Sequence, residues 1–111
     1  MKLDNFSDIP ETIAHDSLNR RRFIAPGDLK SAIQTVNYVE LSEGESYTPH
    51  FHPDCEEGFF IIEGEAEAII AGKNIRLKKG DFLLVEMNEQ HVFTNKSKEK
   101  FTYFQFRVLI Q

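Results

Sequence analysis

The chain has 111 residues, enough for one domain, and its 41% hydrophobic and 12% aromatic content can build a core without disulfides or a structural metal. A net charge of −5 and a pI near 5.3 argue against nucleic acid and anionic membrane surfaces as main partners. A single cysteine, Cys55, excludes an internal disulfide; no signal-like apolar stretch opens the chain and no apolar run nears the ~20 residues that cross a bilayer, so a cytoplasmic location is expected.

The whole chain reads as one domain, with residues 1–22 as an N-terminal arm and 33–110 as the barrel core. Helix is confined at most to one short turn in the arm, where Ile9-Pro10-Glu11 could open it. The run Arg20-Arg21-Arg22 reads as a solvated or interface face rather than an anion site. From about Arg22 onward, short strands alternate with turns. Phe23 to Ala25 meets Pro26-Gly27-Asp28, and Ile33 to Leu41 ends at Ser42-Glu43-Gly44. Thr48 to His52 reads as a short strand stopped by Pro53-Asp54. Gly58 to Ile62, Glu65 to Ile70, Ile75 to Leu77 and Phe82 to Val85 follow, with a hairpin signal at Gly72-Lys73-Asn74. In the last strand, Thr102, Phe104, Phe106, Val108 and Ile110 share one parity, and Tyr103, Gln105 and Arg107 the other. Many short strands with regular turns predict an all-β, antiparallel sandwich or barrel.

Three of the four histidines cluster with a carboxylate: His50, His52, Glu57 and His91. Residues two apart on a strand share a face, so His50 and His52 project together. Glu57 begins the next strand, and His91 comes from a later one, closing the site from across the barrel. Glu56 fits the interval too, and parity cannot choose across a turn. Neutral imidazole with carboxylate suits one divalent transition-metal ion (Zn, Fe, Mn, Ni or Co) better than Ca or Mg. Cys55 reads as a loop thiol, since four ligands already suffice. Inward alternation from Glu57 and His91 brings Phe59, Ile61, Phe93 and Asn95, a mostly apolar pocket in which Phe59 and Phe93 are candidate lining. Tyr47, Tyr103, Gln105 and Arg107 are candidate polar contacts.

These residues resemble the cupin family. Its first motif is Gly, five residues, His-x-His, three or four residues, Glu, six residues, Gly; the chain carries Gly44, His50, His52, Glu57 and Gly64 at those positions. Only Glu57 leaves six residues before Gly64, which favours it over Glu56. The second motif is Gly, five residues, Pro-x-Gly, two residues, His, three residues, Asn. Gly80, His91 and Asn95 match, while Glu86 stands for Pro and Asn88 for Gly. Asn tolerates left-handed backbone angles, so the turn before His91 can survive. The fifteen residues between the motifs, Glu65 to Lys79, match small single-domain microbial cupins. The resemblance covers about residues 33–110. It implies a jelly-roll β-barrel, a metal inside on those four residues, and a homodimer.

The leading functional reading is a small metalloenzyme acting on an oxygen-bearing small molecule, as a dioxygenase, decarboxylase, isomerase, cyclase or lyase. No separate nucleophile or base is legible; Tyr47 and Tyr103 are the outer candidates. The alternative is a non-catalytic small-molecule-binding or sensor module, with or without metal, and a third is a metal-free structural dimer. Fold and ligand set do not choose among them.

Overall fold

Among the described residues, nine antiparallel strands stack in two sheets, and strand alternation decides which side chains meet between them. The coordinates are a computed structural model that describes residues 1–15 and 17–110. The strands are β1 (Glu11–Ala14), β2 (Leu18–Ile24), β3 (Ile33–Leu41), β4 (Cys55–Glu63), β5 (Glu65–Ile70), β6 (Lys73–Lys78), β7 (Phe82–Val85), β8 (His91–Thr94) and β9 (Phe101–Leu109). One sheet runs β1-β2-β3-β9-β4-β7, the other β6-β5-β8. This is the all-β, antiparallel architecture that the strand pattern predicts, in the jelly-roll form that the resemblance implies. Its core lies between the sheets, where Phe93 of β8 meets Phe101 of β9 edge to face at 6.2 Å.

The arm departs from its sequence reading. The helical turn is a 3₁₀ turn at Phe6–Asp8, capped by the Asn5 carboxamide, which accepts the Ser7 N–H at 2.9 Å. Strand structure then begins at Glu11 rather than near Arg22, and β2 pairs along β3 to extend the larger sheet. The alternation was hidden because β2 places Arg20 and Arg22 at the inward parity of Leu18, and the edge strand β1 buries only Ala14. Thr48 to His52 forms no strand; it touches the smaller sheet through one bridge, His50 to His91. Pro49 has no N–H to give a ladder, and Pro53 ends the segment.

Turn chemistry sets the registers. Ala71 and Gly72 both take positive φ, 49° and 80°, in the two-residue turn between paired Ile70 and Lys73, one residue ahead of the expected signal. Gly64 has φ 81°, and a Cβ there would lie 2.3 Å from the Lys100 carbonyl oxygen. Two constraints therefore demand glycine at that corner.

On β9 the hydrophobic parity faces outward. Phe104, Phe106 and Val108 stay half-buried on the outer surface, while Phe101, Tyr103 and Gln105 are buried within. The inner face of the large sheet is apolar at one end, with Leu18, Val39, Leu41, Ile61 and Phe101. It is polar at the other, where Arg22 pairs across to Asn37, Asn37 to Gln105, and Arg107 to both Thr35 and Glu57. The polar end is where the site lies.

Candidate metal centre

Three segments bring the four candidate ligands together. Glu57 enters from β4 in the large sheet, and His91 opens β8 in the small one. His50 is tied to His91 directly, each backbone N–H donating to the other's carbonyl, at 3.3 and 2.9 Å. His91 therefore sits beside His50 rather than across the barrel from it. The Asn88 N–H donates to the His52 carbonyl at 2.9 Å, and Asn88 takes φ 67°, the left-handed turn its amide side chain tolerates. One ligand atom from each of His50, His52, Glu57 and His91 falls within 4.8 Å of all the others. Glu57 is 6% exposed; Glu56, at the opposite parity, turns away.

The proton positions suit a cation. His50 Nδ1 lies 3.2 Å from the Thr48 carbonyl oxygen, and His91 Nδ1 lies 3.2 Å from that of Glu89. A carbonyl only accepts, so both rings carry their proton on Nδ1 and leave Nε2 with a lone pair. Glu57 Oε1 lies 2.7 Å from His52 Nε2 and 3.4 Å from His91 Nε2, yet no aligned hydrogen bond reaches this buried oxygen. The short distances show proximity, and the angles show that the atom lacks a donor. A buried carboxylate oxygen among imidazole nitrogens is a donor set that a first-row divalent ion satisfies. Burial alone would raise the Glu57 pKa, but His52 and His91 in their protonated forms would donate to it and outweigh that, holding the carboxyl well below its ordinary range. Burial, then the neighbouring His91, lowers His50 to about 4.

A buried relay holds the second oxygen. Gln105 Nε2 donates to Glu57 Oε2 at 2.7 Å, Asn37 Nδ2 donates to Gln105 Oε1 at 2.7 Å, and Arg22 Nε donates to Asn37 Oδ1 at 3.0 Å. Guanidinium only donates and carboxylate only accepts, so both amide orientations in between are dictated.

A cavity of about 140 Å³ opens over the cluster. Tyr47, Phe59, Tyr103 and Gln105 line it, as does Arg107. Phe93 does not; it is fully buried one layer deeper, packed on Phe59 at 5.0 Å and Tyr103 at 5.4 Å. Asn95 is likewise buried, its amide donating to the Leu41 and Glu99 carbonyls. The mostly apolar lining expected from alternation is corrected by the large sheet, which adds Arg20, Arg22, Thr35 and Asn37. Cys55 is a buried first residue of β4 rather than a loop thiol, and burial raises its pKa to about 11.

His15 was missed. It lies at the β1–β2 turn, stacked on Tyr47 at 4.7 Å and 4.9 Å from His50. A single histidine in an arm carries no spacing signal. Asn37 could have been read, since a polar residue at the parity of Val39 and Leu41 is anomalous in an apolar strand.

The cupin-domain family model matches residues 37–106. The chain belongs to the cupin family. This cupin is 28% identical over 76 residues to the tetracenomycin polyketide synthase protein TcmJ of Streptomyces glaucescens, covering 68% of this chain and 51% of that protein. It thus spans about half the length of that curated relative. Among solved structures, a predicted oxalate decarboxylase from Thermotoga maritima superposes with TM-score 0.91 at 17% identity, covering 98% of this chain and 100% of the other. The polyketide cyclase RemF from Streptomyces resistomycificus superposes with TM-score 0.83 at 20% identity, covering 100% and 80%. At those identities the structural matches show the shared fold of this cupin and no more.

Proposed function

We propose that this cupin holds one divalent transition-metal ion (Zn, Fe, Mn, Ni or Co) on His50, His52, Glu57 and His91. It would then act as a small metalloenzyme on an oxygen-bearing small molecule. The observation that carries the reading is the convergence of four donor atoms within 4.8 Å around a buried carboxylate oxygen without a donor. Such an ion, when bound, supplies Lewis acidity toward a substrate oxygen. The chain's own residues orient and shelter. Gln105 and Asn37 fix the rotamer of Glu57, and Phe59 and Tyr103 wall the cavity. Burial, then the charge of Glu57, raises Tyr103; burial, then Tyr103 and Glu57, raises Tyr47. Both phenols stay protonated at neutral pH and serve as hydrogen-bond donors rather than bases. The polyketide roles of TcmJ and RemF support a small-molecule substrate.

We propose that the chain forms a homodimer through the outer face of its larger sheet. Phe60, Phe82 and Leu84 are 46%, 59% and 46% exposed on the outer face of β4 and β7, beside Phe106, which stacks on Phe82 at 6.3 Å. A second reading, a binding or sensor module without turnover, is supported by the protonated phenols. They leave His15 as the one uncommitted imidazole among the described lining residues. Mass-spectrometric metal analysis of protein purified without added metal tests the first reading: close to one ion per chain is expected, lost in His91→Ala. No bound metal, with unchanged stability in His50→Ala and His91→Ala, refutes it. Ligand-induced thermal shifts without product formation would favour the module.

A further inference from the structure

The chain has five arginines, and they divide by face. Arg21 and Arg76 lie outside the cavity and are paired, Arg21 with Glu11 at 3.5 Å and Arg76 with Glu65 at 3.2 Å. Arg20, Arg22 and Arg107 all line the cavity, and among the described residues none of them has a carboxylate within salt-bridge distance. Arg20 gives its Nε to Thr12 and Arg22 its Nε to Asn37, while among the described residues no side-chain hydrogen bond is made by Arg107 or by the terminal nitrogens of the other two. By contrast, the Arg21 terminal nitrogens reach the Phe6 and Ile9 carbonyls and Glu11. The triple-arginine run is therefore split by strand parity, with its middle residue outside and its flanking residues on the inner face.

Register brings Arg107 in from β9 to the same group. Arg107 pairs with Thr35 and Arg22 with Asn37 on adjacent inward rows, and Arg20 pairs with Val39 on the next. Burial, then the charges of Arg20 and Arg107, lowers the Arg22 pKa, which reports three cations crowding one another. Three half-buried guanidiniums face one lining carboxylate, Glu57, so the cavity carries an excess of positive charge in a chain whose net charge is −5.

We propose that the cavity's ligand is a small carboxylic acid, its carboxylate held by Arg20, Arg22 and Arg107 and a second oxygen function directed at the His/Glu cluster. Guanidinium forks match carboxylates in two-point contact. Size narrows the class: about 140 Å³ is close to the ~150 Å³ cavity that holds one benzene ring. The enclosed end therefore takes an acid of few carbons, and a multi-ring aromatic would not fit inside it. The carboxylate half stands on the arginines alone; the far oxygen rests on the metal reading proposed above.

The test is calorimetric titration of glycolate and malonate against glycolamide and malonamide, with inorganic phosphate as a third probe. Each is run on the zinc-loaded chain and on the EDTA-treated chain, with metal content measured separately. The acids should bind at least about tenfold tighter than the amides, and Arg20→Gln or Arg107→Gln, neither of them in the relay to Glu57, should each cost the acids about tenfold while leaving the amides unchanged. Equal binding of acid and amide, no binding of either acid, or arginine variants that hold the acids as the wild type does would overturn the proposal. Tighter arginine-dependent binding of phosphate than of either acid would overturn the carboxylate assignment. Because the acid–amide comparison uses the wild-type chain, it stands if a variant fails to fold. Acid binding that depends on arginine but is indifferent to zinc supports the carboxylate site and counts against the metal. One zinc per chain with acid and amide alike does the reverse.

Discussion

Replacing Gln105 with leucine removes the middle of the relay that ends on Glu57. The side chain is buried, donates to Glu57 Oε2 at 2.7 Å and accepts from Asn37 Nδ2 at 2.7 Å. Leucine keeps most of the volume and strands one carboxylate oxygen and one amide N–H. Each stranded buried group costs about 1–3 kcal/mol, the charged one at the upper end. The neighbouring cavity lets water relieve part of this, so a net loss of about 2–4 kcal/mol is expected in the metal-free chain. For a domain of this length that corresponds to a fall in Tm of roughly 8–15 °C. Freeing a carboxylate from its orienting partner should also weaken metal affinity about 10–100-fold. Urea denaturation in EDTA reads the first quantity, and competition with a chromophoric chelator reads the second. A double-mutant cycle with Asn37→Leu adds a check: residues acting as one chain should lose less together than the sum of their separate losses. Additive losses, or a Gln105→Leu protein with wild-type stability and metal affinity, would refute the relay.

Other outcomes follow from the same geometry. Glu57 is depressed in the folded state, so its contribution is complete above the unfolded carboxyl pKa and is lost as pH falls below it. His50, lowered to about 4, binds its proton later than the unfolded chain does. Its neutral form therefore costs stability as pH drops from about 6.5 toward 4, and metal content should decline below about pH 6. Chemical denaturation at stepped pH and metal analysis check this, and a flat metal content from pH 7 to 5 contradicts a three-histidine site. Gly64→Ala should cost at least ~1–2 kcal/mol more than Gly72→Ala. Both glycines have φ near 80°, but only at Gly64 would a Cβ meet backbone, 2.3 Å from the Lys100 oxygen. Equal losses in thermal melts would show that the corner relaxes. Phe82→Asp should convert a dimer to a monomer in light scattering, because Phe82 is 59% exposed in the outer apolar face; a wild-type monomer, or an unchanged variant, removes that face as the interface.

Much of the site was legible in linear order, because a chelating pair on an extended segment needs only His-x-His. The glycine corners at Gly44 and Gly80 need only a left-handed backbone angle, which composition announces. Glu57 was separable from Glu56 by motif spacing, and β4 places it inward. The strand pattern failed where core-facing positions are polar. Arg20, Arg22, Asn37 and Gln105 occupy inward parities, so hydrophobic alternation was silent on β2 and could not orient the two faces of β9.

The sequence by itself determined the strand-and-turn grammar, the ligand spacing and the family, since each depends on neighbours a few residues apart. Only the tertiary structure decided which parity of each strand faces the cavity. That choice depends on cross-strand register, which joins Arg22 to Asn37 and Gln105 and sets Arg107 opposite Glu57. It also depends on the fold-back of the arm that carries His15 onto Tyr47. Pairings between residues tens of positions apart leave no periodic trace in a chain, so the polar wall that would select a ligand became visible only once the sheets had formed.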